Sequence, residues 1–383
     1  VTTYYISPNG SDNNDGSKQS PWFTLTHTSQ QAVSGDTIIV LAGTYDYGSD
    51  VQVVETSGLT VKAEDGTKPT LVWSGNATGW ENTITEGLRV DGTSGVVVDG
   101  LELRDSHSAG VQIKGSSETV LRNVDAHNNG GLGVLLTHGT PDTSIKNCEA
   151  HHNGESSTAE TADGFVFNGA SGDITGTVVE NCRSYENIED GYDCWDGDGI
   201  TFRRCQAYNN GRPNSETPES TSMGIGFKLG GGTYGGNNRA ERCAAWGNYY
   251  AGFSDNLPAE GVTTVNCTAW NNKRNFEFSH TDSALVNSIS FEGPENIDSG
   301  IREDANTWNQ GISDPEFISV DSTSSDFLRL ADGSPCIDAG TDVDLDYQGD
   351  APDLGAYETG TETVSSTAAL YYHDGSAWQP VGQ

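Results

Sequence analysis

The sequence predicts an all-β chain wound as a right-handed, single-stranded parallel β-helix with a cap at each end. Three observations carry this reading. Glycine supplies 48 of 383 residues while long helical periodicity is missing, so short strands and turns dominate. The segments "NVDAHNN" (123–129), "NCEAHHN" (147–153), "NCRSYEN" (181–187), "RCQAYNN" (204–210), "RCAAWGN" (242–248) and "NCTAWNN" (266–272) align without gaps. A second short strand recurs in the same order after each of them, which suits stacked coils better than a sandwich or propeller.

The second positions of the repeat, Val124, Cys148, Cys182, Cys205, Cys243 and Cys267, are separated by 24, 34, 23, 38 and 24 residues. A basic period near 23 with insertions is a solenoid signature. Five residues after each stands Asn129, Asn153, Asn187, Asn210, Asn248 or Asn272. An Asn there tolerates unusual backbone angles, and its amide can bond the Asn above and below. Two residues before each Asn lies an aromatic or imidazole column, His127, His151, Tyr185, Tyr208, Trp246 and Trp270, read as stack members rather than catalysts. The following strands are "GVLL" from Gly133, "GFVF" from Gly164, "GYDC" from Gly191, "GFKL" from Gly226, "GFSD" from Gly252 and "NFEF" from Asn275. Alternation turns their second and fourth residues inward and the third outward. Stacked inward cysteines point the same way, so they read as buried thiols rather than disulfides.

Residues 1–45, with a short helix in "SPWFTLTHTSQQA" and a strand in "GDTIIVLAGTY", are expected to cover the open N-terminal end. The β-helix carrying the site spans 46–300, a C-terminal cap 301–360, and residues 361–383 form a small hairpin or attachment segment with an Asp-Gly turn. "NGSDNNDG" (9–16) holds enough oxygen for a second Ca²⁺ and also reads as a polar turn.

The formal charge of −36 is spread along the chain, which excludes a nucleic-acid partner. Such acidity suits concentrated salt, where the Debye length falls to ~3 Å at 1 M, and points to a halophilic source; an ordinary acidic secreted protein is the alternative. No apolar run is long enough to span a membrane. "VTTYYISPNG" lacks the regions of a signal peptide, so either a leader was removed or Val1 followed an initiator Met, the second suiting a virion component released by lysis.

The usual gap from ladder Asn to strand glycine is four residues, but Asn153 to Gly164 is 11 and Asn210 to Gly226 is 16. Both insertions lengthen the same turn and would wall the coil "IEDGYDCWDGDG", a position where binding sites sit on solenoids. Asp163 and Asp190 each precede a strand glycine and should stack; Glu189 adjoins Asp190, and Asp193 is outward on its strand. Four carboxylates then converge, repel and raise one another's pKa, a conflict that a hard divalent cation removes, Ca²⁺ better than Zn²⁺. Lys228, one of seven lysines, is outward in the column of Asp193, about one rung away. The alternative is that the Asp-Gly pairs are plain turns and Lys228 merely offsets their charge.

The order "DGFVF", "EDGYD", "GFKLGG", "GFSDN" with intervening "NCxxxxN" coils, over residues 120 to 280, resembles the family 9 polysaccharide lyases, the β-helical pectate lyases. The resemblance implies Asp163, Glu189, Asp190 and Asp193 as Ca²⁺ ligands and Lys228 as the Brønsted base. Glu189 stands where the family usually has Asp, and Asn168 where it tends to have Lys. Asn168 and Arg274, the latter in the Asp163/Asp190 column three coils beyond Asp190, are the candidate substrate contacts, a plain surface arginine being the alternative for Arg274. The implied activity is β-elimination on pectate or a related polyuronate, outside the cell. A virion tail or spike module that binds a host surface glycan, with or without cleavage, is the second reading. A hydrolase ranks third, because it needs a paired acid and nucleophile.

Overall fold

The structure, a computed structural model, describes residues 1–75, 86–154, 162–169, 173–211 and 224–360, together with the backbone of 371–373 and 378–380. Among these residues three parallel sheets wind around one core as a right-handed parallel β-helix. The first sheet has twelve strands, from Thr3–Ile6 to Arg302–Asp304; the second has ten, from Gln52–Val54 to Glu295–Ile297; the third has ten, from Thr44–Asp46 to Ile289–Phe291. Each coil gives one short strand to each sheet, and every coil-to-coil pairing is parallel and in register. The N-terminal segment does more than cover an end: Thr3–Ile6 and Thr37–Val40 already pair in the first sheet, with the helix Leu25–Gln31 between them. That helix is capped by Thr24, whose hydroxyl accepts the His27 N–H at 3.1 Å.

The inward faces form columns of like residues. Phe165, Tyr192, Phe227, Phe253 and Phe276 stack at centroid distances of 5.0, 4.7, 4.8 and 5.3 Å, all fully buried. Each such side chain removed from water contributes about 1.5–3 kcal/mol. The repeat-derived cysteines are free and buried, each thiol donating to a main-chain carbonyl, as Cys148 does to Leu121 O at 3.6 Å. On the third sheet His127, His151, Tyr185, Tyr208 and Trp246 stack in parallel at 4.8, 4.6, 4.7 and 4.4 Å, which bears out their reading as stack members.

The asparagine ladder runs unbroken from Asn129 to Asn272. Asn187 Oδ1 accepts both the backbone N–H and the side-chain amide of Asn153, at 3.2 and 2.9 Å, while Asn187 Nδ2 donates to Ala150 O and to Asn210 Oδ1. The unusual backbone angles fall elsewhere than the sequence suggests. Positive φ belongs to the residue before each ladder Asn (Asn128, His152, Glu186, Asn209, Gly247, Asn271) and to the one before each Cys position (Asn123, Asn147, Asn181, Arg204, Arg242, Asn266). Two left-handed corners thus bracket each three-residue strand of the third sheet, and the ladder Asn keeps ordinary angles so that its amide reaches along the axis. The strand glycines answer a close approach: a Cβ on Gly191 would lie 2.6 Å from Gly226 O and 2.9 Å from Asn210 Nδ2. Near the C-terminus Tyr371–His373 pairs antiparallel with Trp378–Pro380; the expected Asp-Gly turn lies outside the described residues.

Asn187→Ala leaves the buried backbone N–H of Asn153 without an acceptor and its side-chain amide with Ala126 O alone, and is expected to cost about 3 kcal/mol. Asn181→Gly, at an exposed left-handed corner, is expected to stay within about 0.5 kcal/mol of the parent. The shifts of the guanidinium unfolding midpoint check both.

Candidate active site

The site grows out of the second sheet and the turn that enters it. Register pairs Val166 with Asp193, Asp193 with Lys228, Lys228 with Ser254 and Ser254 with Glu277, so these residues form one outward column. Asp163 and Asp190 sit three residues earlier, in the turns that follow Asn153 and Asn187. Asp163 Oδ1 accepts the Asp190 N–H at 2.7 Å, and Asp190 Oδ1 accepts the Ile225 N–H at 2.7 Å. One oxygen of each carboxylate is therefore tied to the next coil.

Lys228 Nζ lies 2.9 Å from Asp193 Oδ2 and 3.2 Å from Asp190 Oδ2, so the amine faces the acids that the sequence assigns to it. Asp163, Asp190 and Asp193 are buried, and each offers an oxygen within 4.8 Å of the other two. Asp193 Oδ1 is buried with no hydrogen-bond partner. Of the four expected ligands the structure gathers these three. Glu189 instead reaches back, its Oε2 accepting the Ala162 N–H at 3.2 Å from the rim; the longer side chain spans to the preceding coil where a shorter one would stop at the site.

The electrostatics follow from this crowding. Burial, then the neighbouring charges of Asp190 and Asp193, pushes the Asp163 carboxyl well above its ordinary range. Burial outweighs the opposing Lys228 charge and raises Asp193 to about 6, and burial together with Asp190 raises Glu189 to about 7. Burial alone would lower Lys228, but Asp190, Asp193 and Asp163 more than reverse this and hold the ammonium above its usual pKa. Paired in this way Lys228 is a cation rather than a free base. One ammonium offsets one of three buried carboxylates, so two charges and an orphaned oxygen remain. An all-oxygen set of that kind fits a hard divalent cation such as Ca²⁺.

Asn168 is exposed, outward on the strand Phe165–Asn168, in the coil before Asp193. Arg274 lies three coils beyond Asp190, ion-paired to Glu277 and packed 4.9 Å from the Tyr250 ring. Trp195 is a neighbour that the motif reading passed over: its ring centre lies 5.4 Å from Lys228 Nζ and it stays 43% exposed. Trp195 lies two residues past Asp193, in the turn that follows the strand Tyr192–Asp193. In the N-terminal segment Asp12 is consumed by the chain's own donors, the N–H groups of Phe23 and Thr24 and the Thr24 hydroxyl, and holds a polar turn. The two long insertions fall largely within 155–161 and 212–223, outside the described residues.

Residues 4–296 match the family model described as the Pel9A-like, right-handed β-helix region. Pectate lyase L of Dickeya chrysanthemi is 28% identical over 93% of this chain and 90% of its own length, and pectate lyase L of Paenibacillus polymyxa is 30% identical over 88% and 83%. The crystal structure of pectate lyase Pel9A superposes with a TM-score of 0.83 at 25% identity, covering 94% of this chain and 96% of that one. A rhamnogalacturonan lyase shares the fold, with a TM-score of 0.74 at 20% identity, over 87% of this chain and 97% of its own.

Carboxyls whose folded pKa is raised bind more protons folded than unfolded, so their contribution to stability falls as pH rises from the unfolded value near 4 through about 6 and 7. In chelator the melting temperature is expected to drop between pH 5 and pH 8, and to drop less in Asp193→Asn. Added Ca²⁺ is expected to raise it, more at the higher pH, as followed by differential scanning calorimetry.

Proposed function

The chain belongs to the Pel9A-like right-handed β-helix family, and from that membership we propose that it is a Ca²⁺-dependent lyase cleaving a polyuronate, pectate or a related uronic-acid glycan, by β-elimination with Lys228 as base. One observation carries the reading: the Lys228 amine on the outward face stands one rung from Asp193, a member of a buried group of three carboxylates, in a chain 30% identical to an enzyme named pectate lyase L. A polymeric substrate too large to enter a cell assigns the work to the extracellular side.

Asp163, Asp190 and Asp193 are the residues to hold the cation, with Glu189 on the rim. When bound, the cation supplies Lewis-acid stabilisation for the charge that builds on a uronate carboxylate and makes the neighbouring C5 proton more acidic. Lys228 accepts that proton at Nζ. The C5–H electron pair becomes the C4–C5 double bond, and the C4–O glycosidic bond breaks with its electrons on the leaving oxygen, which is then protonated. Two opposing forces set the charge of Lys228: burial disfavours the ammonium, and its free carboxylate partners favour it. Were Asp190 and Asp193 engaged as ligands, their charges would no longer favour the ammonium, and burial would favour the neutral amine.

The substrate reading extends to Asn168, outward one coil before Asp193, and more distantly to Arg274. A hydroxyl or carboxylate of a bound sugar can replace water on the exposed Asn168 amide. Arg274 already satisfies Glu277, so its share in binding an anion is the smaller.

The test is ultraviolet absorbance of the unsaturated product from polygalacturonate, with Ca²⁺ and then with chelator, in high salt. Turnover is expected only with the cation. Lys228→Ala is expected to lose at least about 10²-fold in kcat while keeping the Ca²⁺-dependent rise in melting temperature. Full activity in that variant removes Lys228 from the mechanism. Binding to acidic glycans with no product from any uronate favours the glycan-binding module instead.

A further inference from the structure

Six of the chain's seven lysines have a partner. Lys18, Lys62, Lys68 and Lys146 are ion-paired to Glu64, Asp65, Asp125 and Glu180; Lys228 holds Asp190 and Asp193; Lys273 lies over the rings of Tyr249 and Tyr250. Lys114 alone has no carboxylate within salt-bridge distance and no ring beneath it among the described residues. In a chain with 55 acidic residues this is anomalous, and its half-buried position makes it more so. The nearest acid in register is Asp91 on the preceding coil, and that carboxylate is held by Arg89 Nε at 3.3 Å.

The place of Lys114 is equally specific. It closes the strand Val111–Lys114 of the second sheet, the sheet that carries the candidate active site. Register pairs Lys114 with Thr137, and Thr137 with Asn168; in the next coil the strand ends at Asp193, and Trp195 lies two residues on, in the turn that follows it. A second outward column therefore runs Lys114, Thr137, Asn168 along the solenoid axis, beside the column of Asp193 and Lys228, with Trp195 in the turn one coil further on. With that turn it offers an ammonium, a primary amide and an exposed indole, a set that recognises carboxylate, hydroxyl and the C–H face of a sugar ring, while Thr137 between them is buried with its hydroxyl bonded to His138 Nδ1. Lys114 stands three coils before Trp195, about 14 Å away at the axial spacing of stacked strands.

We infer that Lys114 is a distal anion subsite, taking the carboxylate of a uronate several sugars away from the one deprotonated, so that the polysaccharide lies along the axis toward the N-terminal coils. The inference rests on the polyuronate reading above and adds the direction of the chain and a residue to hold it. Trp195 and Asn168 line the intervening path. The sugar beside Lys228 presents its C5–H to the amine, so the indole next to that amine is left to stack on an adjoining sugar. Because the general field of the protein repels a polyanion, a single unpaired cation counts for more here than on a basic surface.

The experiment compares Lys114→Ala with Lys62→Ala, which removes the same charge from the first sheet, on polygalacturonate and on a trigalacturonate too short to reach Lys114. Lys114→Ala is expected to lower kcat/KM about tenfold on the polymer and to leave the trimer unchanged, with Lys62→Ala unchanged on both. Equal effects of the two substitutions on the polymer overturn the subsite, as does an equal loss on trimer and polymer. Retardation in gels containing polygalacturonate reads the same contact without turnover. A parent protein that is retarded but forms no unsaturated product sinks the lyase reading alone, and weaker retardation of Lys114→Ala in that case still supports the subsite. Retardation equal to that of the parent overturns it. Unchanged melting temperatures establish that both variants are folded.

Discussion

From Asn153 to Asn272 each ladder asparagine accepts two hydrogen bonds from the coil before it and donates to that coil's backbone, so axial spacing and angular phase are fixed together at one buried edge. The consequence reaches the site directly. Asp190 is three residues beyond Asn187, and Ile225 opens the strand Ile225–Lys228 of the next coil. With the ladder clamped, Asp163 can accept the N–H of Asp190 and Asp190 that of Ile225, which places the acids in line rather than splayed toward solvent. The glycine at the head of each strand serves the same clamp, since a side chain there would meet the ladder amide and the carbonyl of the next coil.

Stacking like on like is favourable for asparagine and for aromatic rings and unfavourable for carboxylates. The chain limits the cost by ending the acid column after two coils: Asp163 and Asp190 are followed by Ile225, and in the adjoining column Asp193 is followed by Lys228. The remaining imbalance, three buried carboxylates against one ammonium, is a violation of the usual rule that buried charges are paired. Violations of that kind concentrate where function requires them. The ammonium is not indifferent to how the imbalance is settled, because the same two carboxylates that would hold a cation are those that keep Lys228 protonated.

Much of this was legible in the sequence. A period with fixed Asn and Cys positions yields coil register without knowledge of any contact, and register alone puts Asp193 beside Lys228. What the sequence hid were matters of side-chain reach and conformation. Glu189 has the charge of a ligand, but one extra methylene takes its carboxylate to Ala162 N–H. The left-handed angles fall one residue before the ladder Asn, because the buried amide needs ordinary backbone geometry and the corner can be turned by its exposed neighbour. The charge on Lys228 depends on competing terms of burial and pairing that no motif encodes. Trp195 and Lys114 lay outside the motifs, although the alternation that turns Asp193 to the outer face of its strand does the same for Lys114.

A parallel β-helix converts sequence position into axial position, and this suits a long substrate better than a compact one. Outward residues at equivalent places in successive coils become a line of contacts, one every ~4.8 Å, and a polymer laid along that line meets a new side chain at each step. The charge of −36 makes such a line necessary. An anionic glycan gains nothing from the overall field of this protein and must be held by local exceptions to it, and salt, which weakens the attraction of a basic enzyme for a polyanion, here screens a repulsion. The scarcity of lysine then has a use. With four of the seven paired to carboxylates elsewhere and one lying on tyrosine rings, the two that remain, Lys114 and Lys228, both project from the outward face of the second sheet, Lys114 without a partner among the described residues and Lys228 set against Asp190 and Asp193.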